Sequence, residues 1–193
     1  MKYRTVVVDP PWPIRYSGGG WTRVNGRGEE HRALTARRRL PYPTLTVDQI
    51  CTLQVNDLAE PDAHLYLWIP DVLLIEGIAA RVVRAWGFEP GRLMVWEKTG
   101  YGLGMFPRPQ HEQLLVCRRG SLPFRVRNIG SVQRWKLAYE HGARVHSRKP
   151  DGATDLIEQA SYPPYVELFA RRHRLGWDVW GNECANTATL AGH

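Results

Sequence analysis

The tetrapeptide Asp9-Pro10-Pro11-Trp12 is the part of this chain whose residue types and spacing most clearly suit chemistry. Each proline fixes its φ and lacks an N–H, and a residue before proline is held extended. Two in succession make a stiff segment that presents carbonyl oxygens and brings no donor of its own. A carboxylate stands before it and an indole after it. The expected product is a rigid acceptor array beside a stacking platform. Such an array suits an exocyclic amine whose lone pair is delocalised into its ring, as in N6 of adenine. The Asp9 carboxylate and a proline carbonyl would each take one amino N–H and favour the charge that develops as nitrogen attacks. Trp12 would stack on a flipped or unpaired base. A strand-ending loop that merely contains prolines is the alternative these four residues leave open.

Other reactive residue types give less. Cys51, Cys117 and Cys184 are odd in number, far apart and without a CxxC pair, so reduced, packed thiols are expected. His111-Glu112 opens like a zinc-protease motif, but Leu115 occupies the place of the second histidine, which excludes that metal site. The net charge is +7 with arginine dominant, which favours a polyanionic partner. Arg37-Arg38-Arg39 lies in the connection 13–40, and a second basic stretch runs over 121–148. Both suit a nucleic-acid backbone, and a solvated charged face is the alternative.

The elements that must position these residues follow from periodicity. With 193 residues, 43% of them hydrophobic, the chain fits one globular domain, with insertions at about 13–40 and 121–148. Arg4 to Val8 reads as a buried strand ending at Asp9. No apolar run is long enough to cross a bilayer, and the N-terminus lacks the apolar core of a signal peptide, so a cytoplasmic protein is expected. Thr46 with Gln49 three residues on predicts a capped helix from Val47 to about Leu53. A strand follows over His64–Ile69. Asp71 is the expected cap of a helix through Ala85, with Val72, Ile75, Ala79, Val82 and Val83 on its apolar face. Further strands are predicted at Leu93–Trp96, Gln113–Cys117, Tyr165–Ala170 and Trp177–Trp180, and a helix at Asp151–Ala160. Strands alternating with helices predict an α/β domain with a largely parallel sheet.

Asp-Pro-Pro-Trp after a short apolar strand resembles the DPPW-type N6-adenine methyltransferases, the family of the catalytic subunit of the eukaryotic messenger-RNA adenosine methyltransferase, with bacterial and phage relatives. The likeness extends in order along nearly the whole chain. Leu40 to Thr46 resembles the family's Tyr-x-Thr segment, and Leu65-Tyr66-Leu67-Trp68 its next strand. Val95-Trp96-Glu97-Lys98, His111 to Val116, His146 to Asp151, Glu167 to Arg171 and Gly181-Asn182-Glu183 follow. The resemblance implies a Rossmann-like methyltransferase fold in permuted order, with the catalytic motif ahead of the cofactor strand. It implies S-adenosylmethionine as cofactor and adenine in DNA or RNA as acceptor; the small size without added recognition modules favours DNA.

The family's roles map onto Asp9, Pro10, Pro11 and Trp12 as the catalytic centre, with Tyr42 lining it. Lys149 matches the lysine that meets the cofactor's carboxylate. Asp9 would also hold the cofactor's amino group, and Glu167, Arg171, His173, Asn182 and Glu183 are the other implied cofactor contacts. Arg37, Arg38 and Arg39 join Trp12 and Tyr42 as candidate substrate contacts. Glu183 stands where the family often has Gln. No Gly-x-Gly follows a strand, which speaks against a dinucleotide enzyme. A homodimer or a partner subunit would supply recognition surface that so short a chain lacks. Two other readings stay open: an inactive nucleic-acid-binding partner subunit, a class that loss of the acid-Pro-Pro-aromatic array would mark, and an unrelated α/β enzyme.

Overall fold

The computed structural model describes residues 1–14, 43–100, 107–137 and 148–190, and the backbone alone of four two-residue strands. In chain order the strands are β1 (Tyr3–Val8), β2 (Arg23–Val24), β3 (Glu30–His31), β4 (Ala59–Ile69), β5 (Glu89–Glu97), β6 (His111–Arg119), β7 (Val132–Gln133), β8 (Tyr139–Glu140), β9 (Ala143–Arg144), β10 (Tyr165–Leu168) and β11 (Trp177–Trp180). The helices are α1 (Val47–Thr52), α2 (Val55–Leu58), α3 (Asp71–Ile75), α4 (Ile78–Ala85) and α5 (Asp151–Ala160). Seven strands form one sheet in the order β11-β10-β1-β4-β6-β5-β7, and β2–β3 and β8–β9 form two small ribbons. Within the sheet only β6 runs against the others. This is the mostly parallel, helix-flanked sheet of a Rossmann-like methyltransferase fold.

β1 is the middle of this arrangement. It pairs in parallel with β10 on one side and β4 on the other, and its residues are almost all buried, as expected where helices cover both faces. Val6 and Val8 join the core under α1 and α4 with Ile50, Val82, Val83 and Trp86. Val7 points the other way, into a second cluster with Tyr66, Trp68, Trp96, Ala153 and Ile157 under α5. The chain leaves β1 toward β4 and later returns to its opposite edge through β10. That reversal is a topological switch point at the carboxyl ends of β1 and β10, where open α/β sheets usually have the crevice that takes a ligand.

Local chemistry explains several boundaries. Thr46 and Gln49 form the expected capping box, with the Gln49 N–H donating to Thr46 Oγ1 at 3.2 Å and the Thr46 N–H to Gln49 Oε1 at 2.8 Å. The single helix expected over 71–85 is instead two. Gly77 adopts a left-handed conformation, φ 75°, that ends α3 and starts α4. The break turns α3 relative to α4, so Ala79, Val82 and Val83 are buried while Val72 and Ile75 are exposed. Asp71 is not the cap either: Pro70 holds that position, and the Asp71 carboxylate accepts the Val72 N–H, at 2.8 Å. β4, β5 and β6 each extend beyond their apolar runs, whereas α5 and β11 coincide with the expected spans. No helix among the described residues is long and apolar enough to cross a membrane.

Candidate active site

The chain turns out of β1 at Asp9 through two successive three-residue turns. The Trp12 N–H donates to the Pro10 carbonyl and the Ile14 N–H to the Trp12 carbonyl, each at 2.8 Å. Pro11 and Pro13 therefore occupy the central positions, which their fixed φ suits. The Leu45 N–H donates to the Pro11 carbonyl at 2.9 Å and ties the segment before α1 to this turn. The proline carbonyls are thus not bare acceptors: each already takes one backbone N–H, and a second lone pair remains on each.

Trp12 departs from expectation. Its indole is 4% exposed and packed in the core, and its Nε1–H donates to the Trp68 carbonyl near the end of β4 at 2.9 Å. A ring so placed offers no open face to a base. Burying a large apolar side chain and pairing its one N–H favours this position over solvent. Trp12 acts as a wedge that clamps the Asp9–Pro13 turn to β4.

Beside Asp9 lies a row of alternating charge. Lys149 Nζ is 3.1 Å from Asp9 Oδ2 and 3.0 Å from Glu112 Oε2, and Lys98 pairs with the other oxygen of Glu112. The sheet explains the meeting. Because β6 is antiparallel, its first residues lie at the edge where the parallel strands end, with Glu112 opposite Trp96 and Gln113 opposite Ile69. Lys98 follows β5 at that edge, and Lys149 precedes Pro150, the N-cap of α5. Aromatic faces support both lysines: Lys149 Nζ is 5.2 Å from the Trp68 ring centre and Lys98 Nζ 4.8 Å from that of Trp96.

The ionisation of the row follows from this geometry. Burial pushes the Asp9 carboxyl above its usual range, with Lys149 opposing and Glu112 adding to the rise. Burial works the same way on Glu112, but Lys149 and Lys98 outweigh it and hold that carboxyl low. Burial disfavours charge on Lys149, yet Asp9 and Glu112 keep it firmly protonated. Glu167, on β10 opposite Val7, is pushed up to about 7 by burial and by the Asp9 charge, against Arg174 and Lys149.

The remaining candidates line the β10–β11 side. Arg171 follows the β10 end, where Phe169 takes φ 62°, and its Nε lies 3.5 Å from Glu183 Oε1. Its charge also acts on Asp9. Gly181 lets the two strand ends close: a Cβ there would run into the Ala170 backbone. Its N–H donates to Asn186 Oδ1 at 2.7 Å, shaping the turn that carries Asn182 and Glu183. Asn182, Glu183 and His173 are exposed. The structure thus joins Asp9 and Lys149 directly, with Glu167 and Arg171 close enough to act on the Asp9 charge and Glu183 held by Arg171. Tyr42, Arg37, Arg38 and Arg39 lie outside the described residues. Lys98 and Glu112 are additional site residues that sequence spacing does not single out. The family resemblance runs through both, in Val95 to Lys98 and His111 to Val116, but gives neither a role, and the His111-Glu112 pair by itself suggests only a metal motif.

Residues 3–183 match the MT-A70 family. The chain is 29% identical over 190 residues to the Type II methyltransferase M.MunI of a Mycoplasma species, a match covering 94% of this chain and 78% of that protein. It is 26% identical over 201 residues to the human N(6)-adenine-specific methyltransferase METTL4, covering 95% of this chain and 38% of the human one. It is also 26% identical over 166 residues to the N6-adenosine-methyltransferase non-catalytic subunit MTB of Arabidopsis thaliana, where it spans 85% of itself and 18% of that subunit. With the Asp-Pro-Pro-Trp turn at the sheet's switch point and a match over nearly its full length, the chain belongs to the MT-A70 family of N6-adenine methyltransferases.

Proposed function

We propose that this chain is an S-adenosylmethionine-dependent methyltransferase that acts on N6 of adenine in nucleic acid, DNA before RNA, as one domain. The observation that carries the reading is Asp9: a carboxylate on a rigid turn at the crevice, with one lysine partner that a ligand could exchange. The crevice fits the cofactor's charges. Its amino-acid end bears an ammonium and a carboxylate, and the site sets acids Asp9 and Glu167 beside Lys149 and Arg171. When bound, the cofactor supplies an electrophilic methyl group on sulfur. Lys149 would meet its carboxylate, Asp9 and Glu167 its donors, and Arg171, His173, Asn182 and Glu183 its outer groups.

Asp9 and the free lone pair of the Pro10 carbonyl would accept the two N–H groups of the adenine amine. That orients the nitrogen and favours its developing positive charge, and Asp9 is placed to receive the proton released as the N–C bond forms. With Trp12 in the core, Tyr42 is the candidate of the two that would stack on a flipped base. Arg37, Arg38 and Arg39 would hold phosphates. The likeness to M.MunI supports DNA.

The test is methyl transfer from labelled cofactor to single- and double-stranded DNA and RNA containing adenine, with Asp9→Ala beside the wild type. N6-methyladenine in DNA, lost in the variant, is expected. Cofactor and nucleic-acid binding without product on any polymer would instead favour the inactive partner subunit, which the likeness to a non-catalytic subunit keeps in view.

A further inference from the structure

The charged row holds two residues with no place in that scheme, Lys98 and Glu112. Lys98 is 17% exposed and pairs with Glu112 Oε1, while Lys149 takes Oε2. Lys98 is fixed from behind. Its ammonium lies over Trp96, whose Nε1–H donates to the Trp135 carbonyl at 2.9 Å, and its own N–H donates to the Gln110 carbonyl at 2.7 Å. The four side chains run Lys98, Glu112, Lys149, Asp9, so the two acids are not equivalent. Among the described residues Glu112 is paired with two lysines and Asp9 with one, Lys149, with Arg171 acting on it from further off.

We propose that Lys98 is a positioning residue that holds Glu112 when Lys149 turns to the cofactor's carboxylate. The inference rests on the function proposed above. If Lys149 moves to an external carboxylate, Glu112 keeps a counter-ion and has no reason to pull Lys149 back. Asp9 loses its lysine at the same moment, and its carboxylate becomes available to the incoming amine. Without Lys98, Glu112 would depend on Lys149 alone and compete with the ligand for it. Facing Glu112 are Lys98 from the end of β5, Lys149 from the segment before α5 and, beyond Lys149, Asp9 from the end of β1. On its own strand, His111 lies against Gln113, and the nearby Glu97 is paired with Arg134 at 2.8 Å. No other carboxylate among these contacts Lys149, so Glu112 and Asp9 are the competitors for the ligand.

The proposal is tested by calorimetric binding of S-adenosylhomocysteine, which needs no turnover, between about pH 5 and pH 8. Lys98→Met should bind about tenfold more weakly than wild type at the upper end. The deficit should shrink toward the lower end, because a buried Glu112 that has no Lys98 and gives up Lys149 to the ligand can take up a proton in its place. Lys98→Arg should restore affinity. In a Glu112→Gln background, Lys98→Met should cost nothing further, because the competitor is gone. Lys98→Gln, which keeps a polar head over Trp96, carries the same comparison if the methionine variant does not fold. A deficit that is independent of pH and additive with Glu112→Gln would show Lys98 to be merely structural and overturn the proposal, as would unchanged binding in both Lys98 variants. Failure of the wild type to bind would count against the functional reading itself, a separate outcome.

Discussion

Glu167→Gln should stabilise the protein in neutral and alkaline solution and leave it unchanged in acid. Glu167 stands on β10 beside β1, where burial and the Asp9 charge lift its carboxyl from 4.5 to about 7. In the unfolded chain the group ionises near its ordinary value, so between those limits the folded state holds a proton that the unfolded state has lost. A folded-state value raised in this way contributes stability that is complete below about 4.5 and lost as pH rises through about 7. At about 1.36 kcal/mol per pKa unit, the full loss is roughly 3–4 kcal/mol. Glutamine keeps the shape and does not titrate. Urea unfolding of both proteins should show no difference at about pH 4. The gap should open by about 1.36 kcal/mol per pH unit and level off above pH 7. The same variant should bind S-adenosylhomocysteine less well, as expected where a destabilising group is kept for function. A stability difference that stays flat with pH would refute the reasoning, because the charge penalty at Glu167 would then be absent.

Three further outcomes follow from the geometry. Trp12→Ala should cost ~3–5 kcal/mol in denaturant unfolding, and Trp12→Phe ~1–3 kcal/mol by stranding the Trp68 carbonyl; wild-type stability in both would remove the wedge. Gly181→Ala should cost ~1–3 kcal/mol, because its Cβ meets the Ala170 backbone, and should weaken cofactor binding by displacing Asn182 and Glu183; a neutral effect on unfolding would contradict the close approach. Reversing charge at Arg37, Arg38 and Arg39 should weaken nucleic-acid binding and flatten its dependence on salt, and an unchanged salt slope would exclude that segment from the contact.

What the sequence disclosed depended on whether the cause was local. The Thr46–Gln49 capping box, the span of α5 and the strand running into Asp9 are local, and all three are found. The break at Gly77 is local too, but glycine is tolerated within helices, and only its positive φ separates a break from an ordinary helical residue. Trp12 could not be placed from spacing, since an aromatic after two prolines can face either the core or the solvent. Tertiary packing against Trp68 decides it. Lys98 and Glu112 were hidden for a topological reason: a parallel sheet would put the start of a strand far from Asp9, and only the reversed direction of β6 brings Glu112 to that edge.

The two halves of the site differ in how they are held, and that difference is suited to turnover. The backbone at Asp9 is over-determined by Pro11, Pro13, the Leu45 N–H and the buried Trp12 indole. The side chains beside it are held by ion pairs, with Lys98, Glu112, Lys149 and Asp9 between 17% and 30% exposed. Charges buried that far need partners, and without a ligand the row supplies them internally. A zwitterionic ligand can replace these partners one for one, its carboxylate taking Lys149 and its ammonium taking an acid. Ligand entry then exchanges ion pairs and leaves none broken, while the turn that orients the amine stays where packing fixed it. Rigidity at the acceptor and exchangeability at the charges are therefore separate properties. Substitutions at Trp12 should appear in stability, and those at Lys98 in the pH dependence of binding.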